Sequence, residues 1–211
     1  MGFLKRVVQA VGAKPSVAAA AKFPRWPFLA VMRKMTGVQL SARELSRVTA
    51  AIRAHPECRL LVFGVGNDSA YWHAVNRGGR TVFLEDDAGW LRKVVDRFPK
   101  LTAFPLQYST QMAGWEKALD QPDPPPPAWP AGVVEGEWDV VLVDGPAAFP
   151  DTAPGRRQSV AAAPKLVAPG GDIFVHDSER AAEQAYCARY LPAAGLVAEV
   201  DRLRHYRLPA G

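Results

Sequence analysis

A mostly parallel α/β sheet with helices on both faces is predicted by three features of this 211-residue chain. From residue 59 onward, short apolar runs alternate with segments of helical period. The runs are continuously hydrophobic, as strands buried on both faces are. Two further runs near the C-terminus follow each other closely enough to form an antiparallel pair at one end of the sheet.

Before the alternation begins, Phe3, Leu4, Val7, Val8 and Val11 recur at helical spacing, with Lys5 and Arg6 between them. Such a helix suits an anionic membrane surface; the alternatives are packing on its own domain or a frayed terminus. Pro27 suits a helix first turn, and this second helix is expected to run to about Met35 and end at Gly37. Ser41 and Glu44 form a capping-box pattern, and Leu45, Val48 and Ile52 line one face of the helix that follows. The strands expected in the body are Leu60–Phe63, Thr81–Leu84, Leu101–Gln107, Val140–Val143 and Asp172–Val175. Between them, helices are expected over Asp68–Asn76, along Trp90, Leu91, Val94, Val95 and Phe98, and over Arg156–Leu166. A last helix is expected over Ser178–Leu191 with Ser178 as N-cap, then strands over Val197–Leu203 and His205–Leu208. Pro122–Pro130, with four consecutive prolines, fits neither helix nor central strand and reads as a surface loop. The expected division is a basic helical arm, residues 1–40, and one domain, residues 41–211.

Composition narrows the function classes. Hydrophobic residues make up 48% and charged residues 22%, so a largely disordered or coiled-coil chain is excluded. No apolar run approaches the ~20 residues of a membrane span. Lys14 and Lys22 interrupt any signal-peptide core, and Arg6 stands where a myristoylation motif wants Ser or Thr. Of the 26 basic residues, eight precede the first acidic one, Glu44; the other 18 face all 21 acidic residues, a net of −3. The overall charge of +5 therefore belongs to the arm, and no nucleic-acid partner is expected. Cys58 and Cys187 make neither a disulfide framework nor a four-cysteine zinc site, which suggests a reducing compartment. The expected location is cytoplasmic, with peripheral membrane contact through the arm.

In doubly wound sheets, ligands sit beyond the carboxyl ends of the strands. After the first strand, Gly64-Val65-Gly66-Asn67-Asp68-Ser69 gives a tight turn into a helix N-terminus. Ser69 replaces the third glycine of the dinucleotide fingerprint, which argues against a pyrophosphate. After the second strand, Glu85 stands where a carboxylate accepts both hydroxyls of a ribose, while Asp86 or Asp87 caps the next helix. Asp144-Gly145-Pro146 follows the fourth strand and His176-Asp177 the fifth. An unpaired carboxylate at the end of an apolar strand is costly, so Asp144 is a functional candidate. His55, His73 and His205 read as structural or surface residues. A ribose-binding acid without a pyrophosphate glycine fits S-adenosylmethionine, and the late strand pair fits a methyltransferase sheet.

Five segments resemble the glucuronoxylan 4-O-methyltransferase family of plant cell walls, also called the DUF579 or polysaccharide-biosynthesis domain. They are Val62–Ser69 with Trp72, Asn76 and Gly78-Gly79; Phe83–Asp87 with Trp90; Gln107-Tyr108 with Thr110-Gln111; Trp138–Val140 leading to Asp144–Pro146 and Ala153–Arg156; and Phe174–Asp177 with Arg180. The resemblance implies a class I S-adenosylmethionine-dependent methyltransferase fold, a Rossmann-like sheet with an antiparallel last strand. It also implies methyl transfer to the 4-hydroxyl of glucuronic acid on a glycan. Cofactor binding then falls to Gly64, Gly66, Asn67, Asp68, Ser69, Glu85, Gln107 and Tyr108. Plant members generally have His at the position of Asn67, a Golgi anchor, and a cysteine-containing insert where this chain has its proline-rich loop. With those features missing, the expectation is a cytoplasmic, bacterial-type member.

An alcohol acceptor needs a base, or a metal that lowers its pKa. Asp144 is the first choice of base, with His176 and Asp177 supporting; the same three also suit a divalent metal. Arg156 and Arg157 are candidates to clamp an acceptor carboxylate, or are simply two arginines at a helix start. Two other functions stay open. One is the same chemistry on a small hydroxyl, carboxyl or amine acceptor; the other is a non-catalytic accessory protein of polysaccharide assembly.

Overall fold

The computed structural model describes residues 26–211 together with Val17, Ala21 and Lys22, so the helix expected around Phe3–Val11 lies outside the described residues. Helix α1 spans Trp26–Thr36 and α2 spans Ala42–Ala54. The order then runs β1 (Arg59–Phe63), α3 (Ser69–Val75), β2 (Arg80–Glu85), α4 (Ala88–Arg97), β3 (Ala103–Pro105), α5 (Trp115–Ala118) and β4 (Trp138–Val143). It ends with α6 (Arg157–Leu166), β5 (Val167–Val175), α7 (Ala181–Tyr190), β6 (Leu196–Val200) and β7 (Leu203–Arg207).

The described residues form a seven-stranded sheet in the order β3-β2-β1-β4-β5-β7-β6. Strands β1 to β5 are parallel, and β7 lies antiparallel between β5 and β6. The strand period of two sorts the apolar side chains into two layers. Leu60, Val62, Phe83, Val140, Leu142 and Phe174 pack with Leu45, Val48 and Ile52 of α2 and Trp72 of α3. Leu61, Phe63, Val82, Leu84, Val141, Val143, Ile173 and Val175 pack with Val160 and Leu166 of α6 and Tyr186 of α7. Continuous apolar runs are thus what two covered faces require. The fully buried Asp172 of β5 fixes the antiparallel neighbour: its carboxylate accepts from Arg207 Nε at 2.9 Å and sits 2.7 Å from His205 Nε2. His205 is therefore structural.

Several boundaries differ from the expected ones. Strand β3 has three residues rather than seven, because it is an edge strand with β2 as its one partner and Pro105 has no N–H to extend the ladder. Strand β5 begins at Val167, opposite Trp138, five residues earlier than expected. Ser178 does not cap α7. The chain turns sharply at Asp177 (φ 56°), and both the N–H and the hydroxyl of Ser178 donate to the Arg202 carbonyl. The late hairpin turns at Asp201-Arg202, with Asp201 at φ 53°, and so ends its first strand at Val200 rather than Leu203. The proline-rich segment is irregular and largely exposed, with Trp129 edge-on to Phe63 at 6.1 Å.

The expected boundary at residue 40 does not coincide with a break in packing. Leu29 and Met32 of α1 are fully buried in the same core as α2 and the sheet. Arg53 of α2 donates to the Ala21 carbonyl at 2.6 Å.

Candidate active site

The order β2-β1-β4 places the point where the strand order reverses between β1 and β4, and the candidate residues gather at the carboxyl ends of these strands. After β1 the chain turns at Gly64 (φ 103°), a conformation open to glycine. A Cβ on Gly64 would lie 3.0 Å from the Asp144 carbonyl, and one on Gly145 would lie 2.8 Å from Gly64 Cα. The two turns therefore interlock backbone to backbone.

Glu85 ends β2 and is nearly buried. Its two oxygens accept from the Val65 N–H at 2.8 Å and the Asp87 N–H at 3.0 Å. Burial outweighs those bonds and lifts its pKa to about 7. Asp87 caps α4 by accepting from the Trp90 N–H, and the Trp90 indole N–H donates to the Val65 carbonyl at 2.7 Å. Leu106 N–H donates to the Glu85 carbonyl, so the segment after β3 runs beside Glu85. There Gln107 is exposed, and the Tyr108 hydroxyl is hydrogen-bonded to Ser159 at 3.1 Å.

In the turn, Gly66 N–H donates to Ser69 Oγ at 2.9 Å. Asp68 accepts from the Trp72 indole at 2.8 Å. Burial and the neighbouring charge of Asp144 raise the Asp68 pKa to about 6. Asn67 Nδ2 reaches toward the Gly37 carbonyl at 3.5 Å.

The second group is built around His176. Its Nδ1–H donates to Asp144 Oδ1 at 2.8 Å and lies 3.6 Å from Asp177 Oδ1, while Nε2 faces Glu44 Oε2 at 3.7 Å. Burial pulls the imidazole pKa down, but the bond to Asp144 and the nearby carboxylates of Glu44 and Asp177 prevail and raise it to about 9. His176 is therefore an imidazolium at neutral pH and holds its proton. For Glu44, burial is outweighed by His176 and the backbone N–H groups of Ser41 and Arg202, and its pKa falls to about 2.

Arg156 does not stand as a free clamp for an acceptor carboxylate. It is buried and turned inward, donating to the carbonyls of Pro146, His176 and Asp144, to Asp144 Oδ1 at 3.3 Å and to Asp177 Oδ2 at 2.9 Å. Arg157 is engaged elsewhere, with the Tyr190 hydroxyl and the Pro122 carbonyl, and ties the proline-rich loop to α6 and α7. Two cations beside the cluster retain free surface, Arg180 at 3.0 Å and Arg202 at 2.9 Å from Asp177.

Asp144 is the reachable member of the group: its side chain is 22% exposed, against 1% for His176 and 4% for Asp177. Its Oδ1 takes both cations, and among the described residues no hydrogen bond engages Oδ2. Its partners Arg156 and Asp177, though not Asp144 itself, line a cleft of about 550 Å³ together with Arg180, Glu183, Met112, Trp115 and Phe149. That volume suits a small-molecule site.

The candidate ligand atoms of Asp144, His176 and Asp177 lie within 4.8 Å of one another, an oxygen and nitrogen set of the kind divalent metals take. In the observed arrangement, Arg156 holds both carboxylates and the imidazolium occupies Asp144.

Reading the sequence alone missed Glu44, Arg202 and Glu183. Arg202 pairs with Asp177 at 2.9 Å, and its N–H donates to Glu44.

Comparison with known proteins bears on the family and the fold. A family model described as IRX15/IRX15L/GXM matches residues 43–130 and 127–206. Glucuronoxylan 4-O-methyltransferase 2 of Arabidopsis thaliana is 34% identical over 174 residues, which cover 72% of this chain and 60% of that protein. Glucuronoxylan 4-O-methyltransferase 1 of the same plant is 30% identical over 216 residues, 91% of this chain and 77% of that protein. These relatives are plant proteins, and nothing bears out the bacterial-type reading. Among solved structures, the tRNA (m1A58) methyltransferase TrmI from Aquifex aeolicus superposes with a TM-score of 0.50 at 13% identity. The superposition covers 80% of this chain and 69% of that one. The fold is the class I S-adenosylmethionine-dependent methyltransferase fold. With that family model matching most of the chain and a relative 30% identical over 91% of it, the chain belongs to the IRX15/IRX15L/GXM family.

Proposed function

We propose that the chain is an S-adenosylmethionine-dependent O-methyltransferase that methylates a hydroxyl, the 4-hydroxyl, of a glucuronic-acid-type residue on a glycan. The observation that carries this reading is Asp144. It stands at the end of β4 against the Gly64 turn, with Oδ1 held by two cations and Oδ2 unengaged among the described residues. When bound, S-adenosylmethionine supplies an electrophilic methyl group on a sulfonium, with a neutral thioether as leaving group.

The residues fit that cofactor. The glycine turns leave backbone room at the switch point, and Glu85 offers a carboxylate at the end of β2 where ribose hydroxyls are read. The acidic surroundings of Asp68 suit a sulfonium. Asp144 Oδ2 takes the acceptor hydroxyl's proton as the new C–O bond forms. His176 and Arg156 fix the carboxylate's orientation and offset the charge of Asp177 and Glu44 around it. A divalent cation would be held by Asp144, His176 and Asp177 only once His176 gives up its proton and Arg156 releases the carboxylates, and would then lower the hydroxyl pKa at the same place.

The test is turnover with S-adenosylmethionine across glucuronate-bearing oligosaccharides and small hydroxyl, carboxyl and amine acceptors, each with divalent metal and with chelator. Methylation of the oligosaccharides supports the reading, and its loss in chelator assigns the metal role. Turnover confined to small acceptors transfers the function to that class. Cofactor binding without turnover on any acceptor makes the chain an accessory protein. Among the described residues no helix is long and apolar enough to cross a membrane. We hold cytoplasmic placement, with the basic arm at a membrane surface, as part of the same proposal; salt-sensitive binding to anionic vesicles tests it.

A further inference from the structure

Glu183 lies in the first turn of α7, in the wall of the 550 Å³ cleft. It is fully buried, and among the described residues neither carboxyl oxygen has a hydrogen-bond partner. Arg156, Arg180 and Asp177 line the same cleft, but Arg156 is engaged by Asp177, Asp144 and backbone carbonyls, and Arg180 pairs with Asp177. A buried carboxyl without a partner costs about 1–3 kcal/mol, so its place in the fold calls for an explanation. Burial also raises its pKa above the ordinary carboxylate value. Met112, Trp115 and Phe149 add apolar and aromatic surface to the cleft, and Phe149 is 84% exposed. An acid that lacks a partner beside apolar aromatic surface matches a sugar ring, which presents hydroxyls at its edge and C–H groups on its faces.

We propose that Glu183 is an acceptor-binding residue that hydrogen-bonds a ring hydroxyl of the sugar adjoining the methylated position. This rests on the glycan reading above. The carboxyl, sealed from solvent in this structure, turns into the cleft to meet that hydroxyl, and an acceptor lacking it leaves the carboxyl unpaired. Discrimination of this kind is strong, because a site built to hydrogen-bond a hydroxyl is penalised when the hydroxyl is missing.

The experiment uses the full chain loaded with S-adenosylhomocysteine. Affinity for an oligosaccharide carrying glucuronic acid is measured by calorimetry, and KM and kcat are measured separately by methyl transfer. Glu183→Leu is expected to keep S-adenosylhomocysteine affinity and to melt no lower than the parent, since an unpaired acid is removed from an apolar wall. Its oligosaccharide affinity is expected to fall at least ~10-fold, with a matching rise in KM and a smaller change in kcat. Glu183→Gln, which keeps hydrogen-bonding capacity and shape, is expected to stay within about threefold of the parent. If Glu183→Leu fails to bind S-adenosylhomocysteine, Glu183→Met takes its place. Parent-like oligosaccharide affinity and KM in the apolar variant overturn the proposal while leaving the function intact. Oligosaccharide binding that the variant loses, without turnover in the parent, supports Glu183 and overturns the methyltransferase reading. A parent that neither binds nor methylates the oligosaccharide overturns both.

Discussion

Glu44 shows at the scale of one residue how a local motif and a distant site share a side chain. It closes the capping box of α2 by accepting from the Ser41 N–H, accepts from the Arg202 N–H, and faces His176. The cap was legible from a spacing of three residues; the other contacts join positions more than 130 residues apart and leave no local trace. Asp144, His176 and Glu85 were legible because each is a polar residue ending an apolar strand. Glu183 carried a weaker signal: an acid three and four residues before the buried Tyr186 and Cys187, on the same helix face. The arginines were misread because a sequence does not say whether a guanidinium points in or out.

Two predictions belong to single residues. The His176 pKa, about 9, lies above its ordinary 6.5, so its proton stabilises the fold fully below pH 6.5. That contribution, on the order of 3 kcal/mol, is lost as pH rises through about 9. Urea midpoints are expected to fall over this window in the parent and to stay flatter in His176→Gln; parallel profiles would remove His176 as the titrating group. Glu85→Ala is expected to weaken S-adenosylhomocysteine binding by about 1.5–3 kcal/mol, the scale of a charge-assisted hydrogen bond. Calorimetry reads this directly, and unchanged affinity would place Glu85 outside the site.

At the scale of elements, the strands and helices were readable from period and composition, and their ends were not. The end of β3 is set by its edge position, the start of α7 by the left-handed turn at Asp177, and the hairpin by Asp201. Each depends on a neighbour supplied by the fold. The interlock of the β1 and β4 exits is the element-level feature that most constrains the site. A methyl group at Gly145 meets Gly64 Cα at 2.8 Å, with no flexible side chain to give way. Gly145→Ala is expected to cost about 1–3 kcal/mol in chemical denaturation, the usual range for overpacking, and to weaken S-adenosylhomocysteine binding more than tenfold, roughly 1.4 kcal/mol. Parent-like values for both would mean the two turns separate freely.

At the scale of the molecule, the site is closed by sequence from both ends. Gln39, just after α1, lines the cleft, and its carbonyl accepts from Arg202 of the late hairpin. Charge composition suggested a separable arm because every charge before Glu44 is basic; packing instead ties α1 to the core through Leu29 and Met32. Leu29→Ala and Met32→Ala are each expected to destabilise the whole unfolding transition by about 2–5 kcal/mol. A separate early transition in either variant, with the main one unmoved, would restore the arm as an independent unit.

The measurement that bears most directly on the central claim is methyl transfer from labelled S-adenosylmethionine to a glucuronate-bearing oligosaccharide by the parent and by Asp144→Asn, with S-adenosylhomocysteine affinity taken alongside. The substitution keeps the shape of the side chain and removes its capacity to take a proton. The expected result is transfer by the parent and a ~10²-fold or greater loss in the variant, with cofactor affinity within a few-fold. Parent-like turnover by Asp144→Asn on the same oligosaccharide would contradict the assignment of the chemistry to the end of β4.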